Sequence, residues 1–142
     1  MKKVKRLQVL LNLAELKEQE ALKSLAEAQK LKNAEHDKLN QLMNFKDQYL
    51  KASLESEQRG VSVTRFVENR NFMAKINEAI EEQLKRTRTT DSRIQNRHGE
   101  WIKARQTRLK FETLIQNERQ HQSRLLEKQI QNEIDNRPFR KS

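Results

Sequence analysis

Gln58-Arg59-Gly60-Val61-Ser62-Val63 is the stretch whose reading decides the fold. Gly60 is one of only two glycines, and no glycine or proline precedes it. Glycine accepts positive φ just past a helix end, and Arg59 brings the positive charge that suits a last helical turn. Ser62 or Thr64 can cap a new helix, and the dense helical pattern resumes at Arg65-Phe66-Val67. The only proline, Pro138, is fifth from the end. The spacing therefore predicts a helix over about 3–58, a turn over about 59–63 and a longer helix over about 64–137.

Upstream of the turn, positions alternating by threes and fours are Val4, Leu7, Leu11, Ala14, Glu18, Ala21, Leu25, Ala28, Lys32, Glu35, Leu39, Leu42, Lys46 and Tyr49. Ten of these fourteen are apolar. A repeat of 3.5 residues held this long marks a coiled-coil seam. Downstream, the pattern is looser: Phe66, Met73, Ile76, Ile80, Thr87, Ile94, Trp101, Ala104, Phe111, Ile115 and Leu125. Arg97, Arg108 and Glu118 break it, and Leu109 and Leu126 suggest a stutter. Weak helix formers at Gly99 and Arg88-Thr89-Thr90-Asp91-Ser92 suggest local bending.

If the chain folds back at Gly60, facing residues have position numbers that add to about 121. Tyr49 then meets Phe72, Phe45 meets Ile76, Leu42 meets Ala79 and Leu7 meets Ile115. Small residues oppose large ones at Ala28/Ile94 and Ala21/Trp101, as interdigitated packing requires. The expectation is an all-α fold, two long helices in an antiparallel coiled-coil hairpin, one domain over 1–142. A parallel dimer of long helices is the alternative. At ~1.5 Å per residue the first helix should run roughly 80 Å and the second roughly 110 Å. Beyond about residue 118 the second helix outruns the first, with an apolar ladder of Leu126, Ile130 and Ile134 beside Leu125. Pro138 should end it, leaving Phe139 to Ser142 as a flexible tip.

Composition narrows the function. Only 34% of the chain is hydrophobic, below the roughly 45–50% of compact globular domains, which excludes a thick core. Without cysteine there is no disulfide framework or thiolate metal site. No apolar run approaches the ~18 residues of a membrane span. Lys2, Lys3, Lys5 and Arg6 before Leu7–Leu16 imitate a signal peptide, but Gln8, Asn12 and Glu15 interrupt the apolar run, so the reading is an amphipathic helix start in a cytoplasmic protein. No phosphate loop, Ser/His/Asp arrangement or His-Glu-x-x-His motif occurs, and His36, His98 and His121 are scattered. The sequence points to no catalytic, cofactor-binding or metal-binding residue.

The net charge of +10 is more informative. Lys85, Arg86, Arg88, Arg93, Arg97, Lys103, Arg105, Arg108 and Lys110 concentrate it against Asp91 and Glu100. Such a rod fits nucleic acid, an acidic protein surface or an anionic membrane, and charge alone does not choose among them.

Tyr49-Leu50, Gly60-Val61-Ser62, Arg65-Phe66, Phe72-Met73, Ile76, Ala79-Ile80, Gln83, Trp101 and Gln116 together resemble the FliJ family of the bacterial flagellar type III export apparatus. The resemblance covers the whole chain in layout, with its specific part over about 42–84. It implies a non-enzymatic cytoplasmic stalk, peripheral to the inner-membrane export apparatus and similar to the γ subunit of rotary ATPases. The end bearing both termini would enter a hexameric export ATPase and stimulate it, using Lys2, Lys3, Lys5, Arg6, Leu126, Ile130 and Ile134. Phe45, Tyr49, Phe72, Ile76 and Ala79 would meet the export gate protein, and export chaperones would bind as further partners. Gln83 stands where family members can carry histidine, and Lys38 where glutamine occurs. The equivalent stalk of a virulence secretion system, or a basic coiled coil on nucleic acid or a membrane surface, are the competing readings.

Overall fold

The computed structural model describes residues 2–137. They form two helices, α1 (Lys2–Arg59) and α2 (Val63–Asp135), and among the described residues there is no strand. The second is longer, at 73 residues against 58. Between them Gly60 takes φ +93° and its N–H donates to the Glu57 carbonyl at 3.1 Å. Ser62 starts α2: its Oγ accepts from the Arg65 N–H at 3.1 Å, and its carbonyl accepts from the Phe66 N–H at 3.0 Å. Of the two expected caps, Ser62 is used. Helix α2 stops at Asp135, before Pro138, and the expected tip from Phe139 to Ser142 lies outside the described residues.

Space around Gly60 is open, so a methyl group there meets nothing. The backbone alone makes alanine unfavourable, since positive φ forces a Cβ against its own carbonyl. Gly60→Ala is therefore expected to lower unfolding free energy by about 1 kcal/mol, measured by urea denaturation. An unchanged midpoint would mean that the turn relaxes.

The chain divides into two compact units: residues 23–99, which contain the turn, and residues 1–22 with 100–142. Within each, a stretch of α1 lies antiparallel against a stretch of α2. In the turn unit, Phe45 contacts Phe72 and Glu35 bonds Gln83, giving position sums of 117 and 118, while His36/Asp91 and Glu57/Arg70 both give 127. In the other unit, Lys3/Glu118 gives 121 and Glu18/Arg108 gives 126. The expected single sum of 121 is thus a mean. Each side chain lies between residues on successive turns of the opposing helix, so the contacts spread several positions to either side of one sum.

All fourteen seam positions expected in α1 are buried or half-buried. In α2 the expected breaks and stutter are absent. Asn69, Met73, Ile76, Ile80, Gln83, Thr87, Thr90, Ile94 and Arg97 keep the heptad in the turn unit. Trp101, Ala104, Arg108, Phe111, Ile115, Glu118 and Gln122 keep it in the other, and every one is buried or half-buried. Arg97, Arg108 and Glu118 are seam residues, whereas Leu109, Leu126, Phe66 and Leu125 are exposed. The looser pattern arises because α2 fills much of its seam with polar side chains that find partners across it. Arg108 binds Glu18 across the seam and Glu112 within α2 at 2.9 Å; the bond to Glu18, then that to Glu112, raises the guanidinium pKa above its ordinary value.

Helix α2 runs through Arg88–Ser92 without interruption. Thr87 and Thr90 satisfy their hydroxyls locally, donating to the Gln83 carbonyl at 2.9 Å and the Thr87 carbonyl at 2.8 Å. This back-bonding lets hydroxyls enter a buried seam without an unpaired donor.

Candidate functional site

Three features in the two units are candidates. The first lies near the turn. Phe45 on α1 and Phe72 on α2 stack edge to face with centroids 6.3 Å apart, and Tyr49 lies 4.7 Å from Phe72. Tyr49 donates its hydroxyl to Asn69 Oδ1 at 3.1 Å, which holds the ring tilted across the seam. Phe45 and Phe72 remain 47% and 41% exposed. Two helices cannot enclose three rings, so one aromatic face stays in water. Of the five residues expected here, Phe45, Phe72 and Ala79 are exposed, Tyr49 is half-buried, and Ile76 is buried with Leu39 and Ile80.

The second feature is the polar layer deeper in the same unit. Gln83 donates to the Glu35 carboxylate and, at 3.0 Å, to the Glu35 carbonyl; Lys38 reaches the same carboxylate at 3.6 Å. The Gln83 amide, despite the opposing effect of burial, holds the Glu35 pKa below its ordinary value, with Lys38 and Arg86 adding to the shift. A depressed carboxylate stabilises the fold above the ordinary carboxylate range and loses that contribution as pH falls through its folded pKa. Beside it, Asp91 accepts from His36 at 3.1 Å and pairs with Lys32 at 3.7 Å.

The third is the end carrying the N-terminus, in the other unit. Lys2, Lys3, Lys5 and Arg6 are exposed, and Lys3 pairs with Glu118 at 3.4 Å. Every residue from Ser123 to Arg137 is exposed, so the partnerless stretch of α2 begins four or five residues later than expected. Within it Leu126, Ile130 and Ile134 are 58%, 49% and 57% exposed. A groove of about 440 Å³ lined by Gln8, Leu11, Ile115, Arg119 and Ser123 precedes it.

One apolar face at this end escaped the seam reading. Val9, Leu13 and Leu16 recur at four and three residues, off the seam, and stay exposed. The signal was available: leucines at heptad positions normally given to polar residues. Among the described residues, no group of three His, Asp or Glu is placed to hold a metal ion, and no helix is long and apolar enough to cross a membrane.

The family model of the flagellar FliJ protein matches residues 2–139. The chain belongs to the FliJ family. It is therefore a component of the flagellar export apparatus, which sets aside the virulence-system reading. No curated protein and no solved structure matches the chain. Lys38 and Gln83, the two positions at which the resemblance leads one to expect other residues, both bind Glu35. Gln83 is buried in the seam, whereas Lys38 is exposed, on the side of α1 that carries Phe45.

Proposed function

We propose that this FliJ-family chain is a non-catalytic stalk that enters the hexameric export ATPase by its N-terminal end and stimulates it. The observation that carries this reading is the unpartnered length of α2, whose apolar ladder faces water beside a basic cluster. A helical plug entering a ring needs a narrow rod, and helices of ~10 Å diameter supply one. Lys2, Lys3, Lys5 and Arg6 steer the encounter with acidic loops. Leu126, Ile130 and Ile134 provide the apolar contact, and the exposed Val9, Leu13 and Leu16 lie further along the same unit. Added to a cognate ATPase, the full chain raises ATP hydrolysis at low molar ratio, and salt weakens the effect. Failure to stimulate, together with nucleic-acid affinity falling steeply with salt, would turn the reading into a polyanion binder.

The aromatic face near the turn is the contact for the cytoplasmic domain of the export gate, through Phe45, Tyr49, Phe72 and Ala79, with Ile76 supporting it from below. Export chaperones are further partners, and the site of action is the cytoplasmic side of the inner membrane. Replacing Tyr49 and Phe72 together by alanine is expected to weaken gate binding at least tenfold, because buried aromatic anchors dominate interface energetics. Helix content by circular dichroism and ATPase stimulation should persist. Loss of helix content in the double variant would make the rings part of the seam alone.

A further inference from the structure

The side of the turn unit that bears Phe45 and Phe72 continues into a second feature. Ser24, Leu31, Lys38 and Phe45 recur every seven residues on α1, as do Phe72, Ala79, Arg86 and Arg93 on α2. In helices whose seam repeats every seven residues, each set keeps to one side. The ring contact of Phe45 with Phe72, and a groove lined jointly by Ser24, Leu31 and Arg93, put both sets on the same side. That groove holds about 340 Å³, with buried Ala28 in its lining and Leu31 39% exposed beside it. Glu27 and Arg97 complete the lining.

Arg86 and Arg93 are exposed, and neither forms a salt bridge among the described residues, although Arg86 is near enough to Glu35 to help lower its pKa. Seven residues of helix separate them by ~10 Å. Two guanidinium groups at that pitch beside an exposed leucine match one kind of surface: a second helix with carboxylates seven residues apart and an apolar side chain between. We propose that this groove docks an acidic amphipathic helix of a partner protein, its carboxylates on Arg86 and Arg93 and its apolar residue on Leu31. Guanidinium–carboxylate pairing supplies direction and charge-assisted bonds. Glu27 gives the groove a repulsive element: it opposes a continuous phosphate array, whereas a helix offers carboxylates at two points and meets Glu27 with another residue. Leu31 has no use for a phosphate backbone either. The proposal stands apart from the ATPase and gate contacts, which lie on other residues.

The probe is a hydrocarbon-stapled helix with glutamates seven residues apart and leucine between, compared with the same helix carrying glutamine at both points. Fluorescence anisotropy on the full chain should show saturable binding of the first and at least tenfold weaker binding of the second. Arg86→Glu with Arg93→Glu should weaken the acidic helix at least tenfold, and Leu31→Glu should weaken it alone. Lys85→Glu with Arg88→Glu, an equal change of charge at exposed positions off this side, should leave it within about twofold. Equal loss in the two charge-reversed pairs would overturn the proposal, because long-range attraction would then suffice. So would tighter capture of a DNA duplex or of phosphatidylglycerol vesicles with the same dependence on Arg86 and Arg93, or no binding of the acidic helix at all.

Discussion

Removal of residues 123–142 is expected to return a cognate export ATPase to its unstimulated rate while leaving the paired helices folded. The two halves of that expectation have separate physical grounds. Among the described residues the last seam residue of α2 is Gln122 and the last cross-helix ion pair is Lys3–Glu118, so the deletion begins where burial ends. Unfolding free energy should therefore change by less than about 1 kcal/mol, as for other exposed changes. Function should fall much further. Leu126, Ile130 and Ile134 are each about half exposed in the free chain, and full burial of such side chains is worth roughly 1.5–3 kcal/mol apiece. Even partial burial of three moves an affinity by orders of magnitude. Steady-state ATP hydrolysis titrated with the truncated chain checks this, and Leu126→Asp with Ile130→Asp preserves the length as a second variant. Undiminished stimulation by both would leave the end of α2 a frayed tail and remove the principal support for the stalk reading.

Ile76→Ala should be the most damaging single truncation in the turn unit, lowering unfolding free energy by about 2–4 kcal/mol. Ile76 is 5% exposed and packs in a cluster with Leu39 and Ile80, against which Leu42, Tyr49 and Leu84 lie. Among the described residues only seven apolar side chains are buried at all, and none is below 2% exposure. A core so thin has few neighbours to compensate, which pushes the cost up; open flanks let water or side chains fill the gap, which pulls it down. The middle of the range for isoleucine follows. Domains as a class have only about 5–15 kcal/mol of stability, so this is a large fraction. Thermal and urea unfolding give the value, and a loss under about 1 kcal/mol would show that the cluster is not cooperative. The same variant separates support from contact in the gate proposal. Weakened gate binding that recovers on cooling would place Ile76 beneath the surface, and weakening that persists in the fully folded variant would place it on the surface.

Much of this architecture was legible in the sequence because it depends on local chemistry. Gly60 and Ser62 mark the turn through one backbone dihedral and one cap, each readable from residue type. The α1 seam was legible because leucine and alanine at threes and fours have one explanation, and burial falls on all fourteen positions. The exposed rings were legible from the bulk of three aromatic residues near a two-helix turn.

The α2 seam and the docking faces needed the tertiary structure. Arg97, Arg108 and Glu118 looked like register breaks because a charged residue advertises solvent until its partner is known. Glu18 makes Arg108 a seam residue from 90 positions away, and no window along α2 contains that information. Gln83 can be buried because Glu35 accepts hydrogen bonds from its amide. Likewise, one facing sum was all a turn position could supply, whereas the spread from 117 to 127 depends on which turn of the opposing helix each side chain reaches. Ile76 and Phe72 carry similar apolar signals, yet one is buried and the other faces water. The sequence by itself determined where the helices are and which face of α1 is apolar, since those depend on residues a few positions apart. Which polar groups enter the interior, and which apolar groups stay outside to meet a partner, was decided by pairing between distant positions, and desolvation costs what the opposing side chain fails to offset.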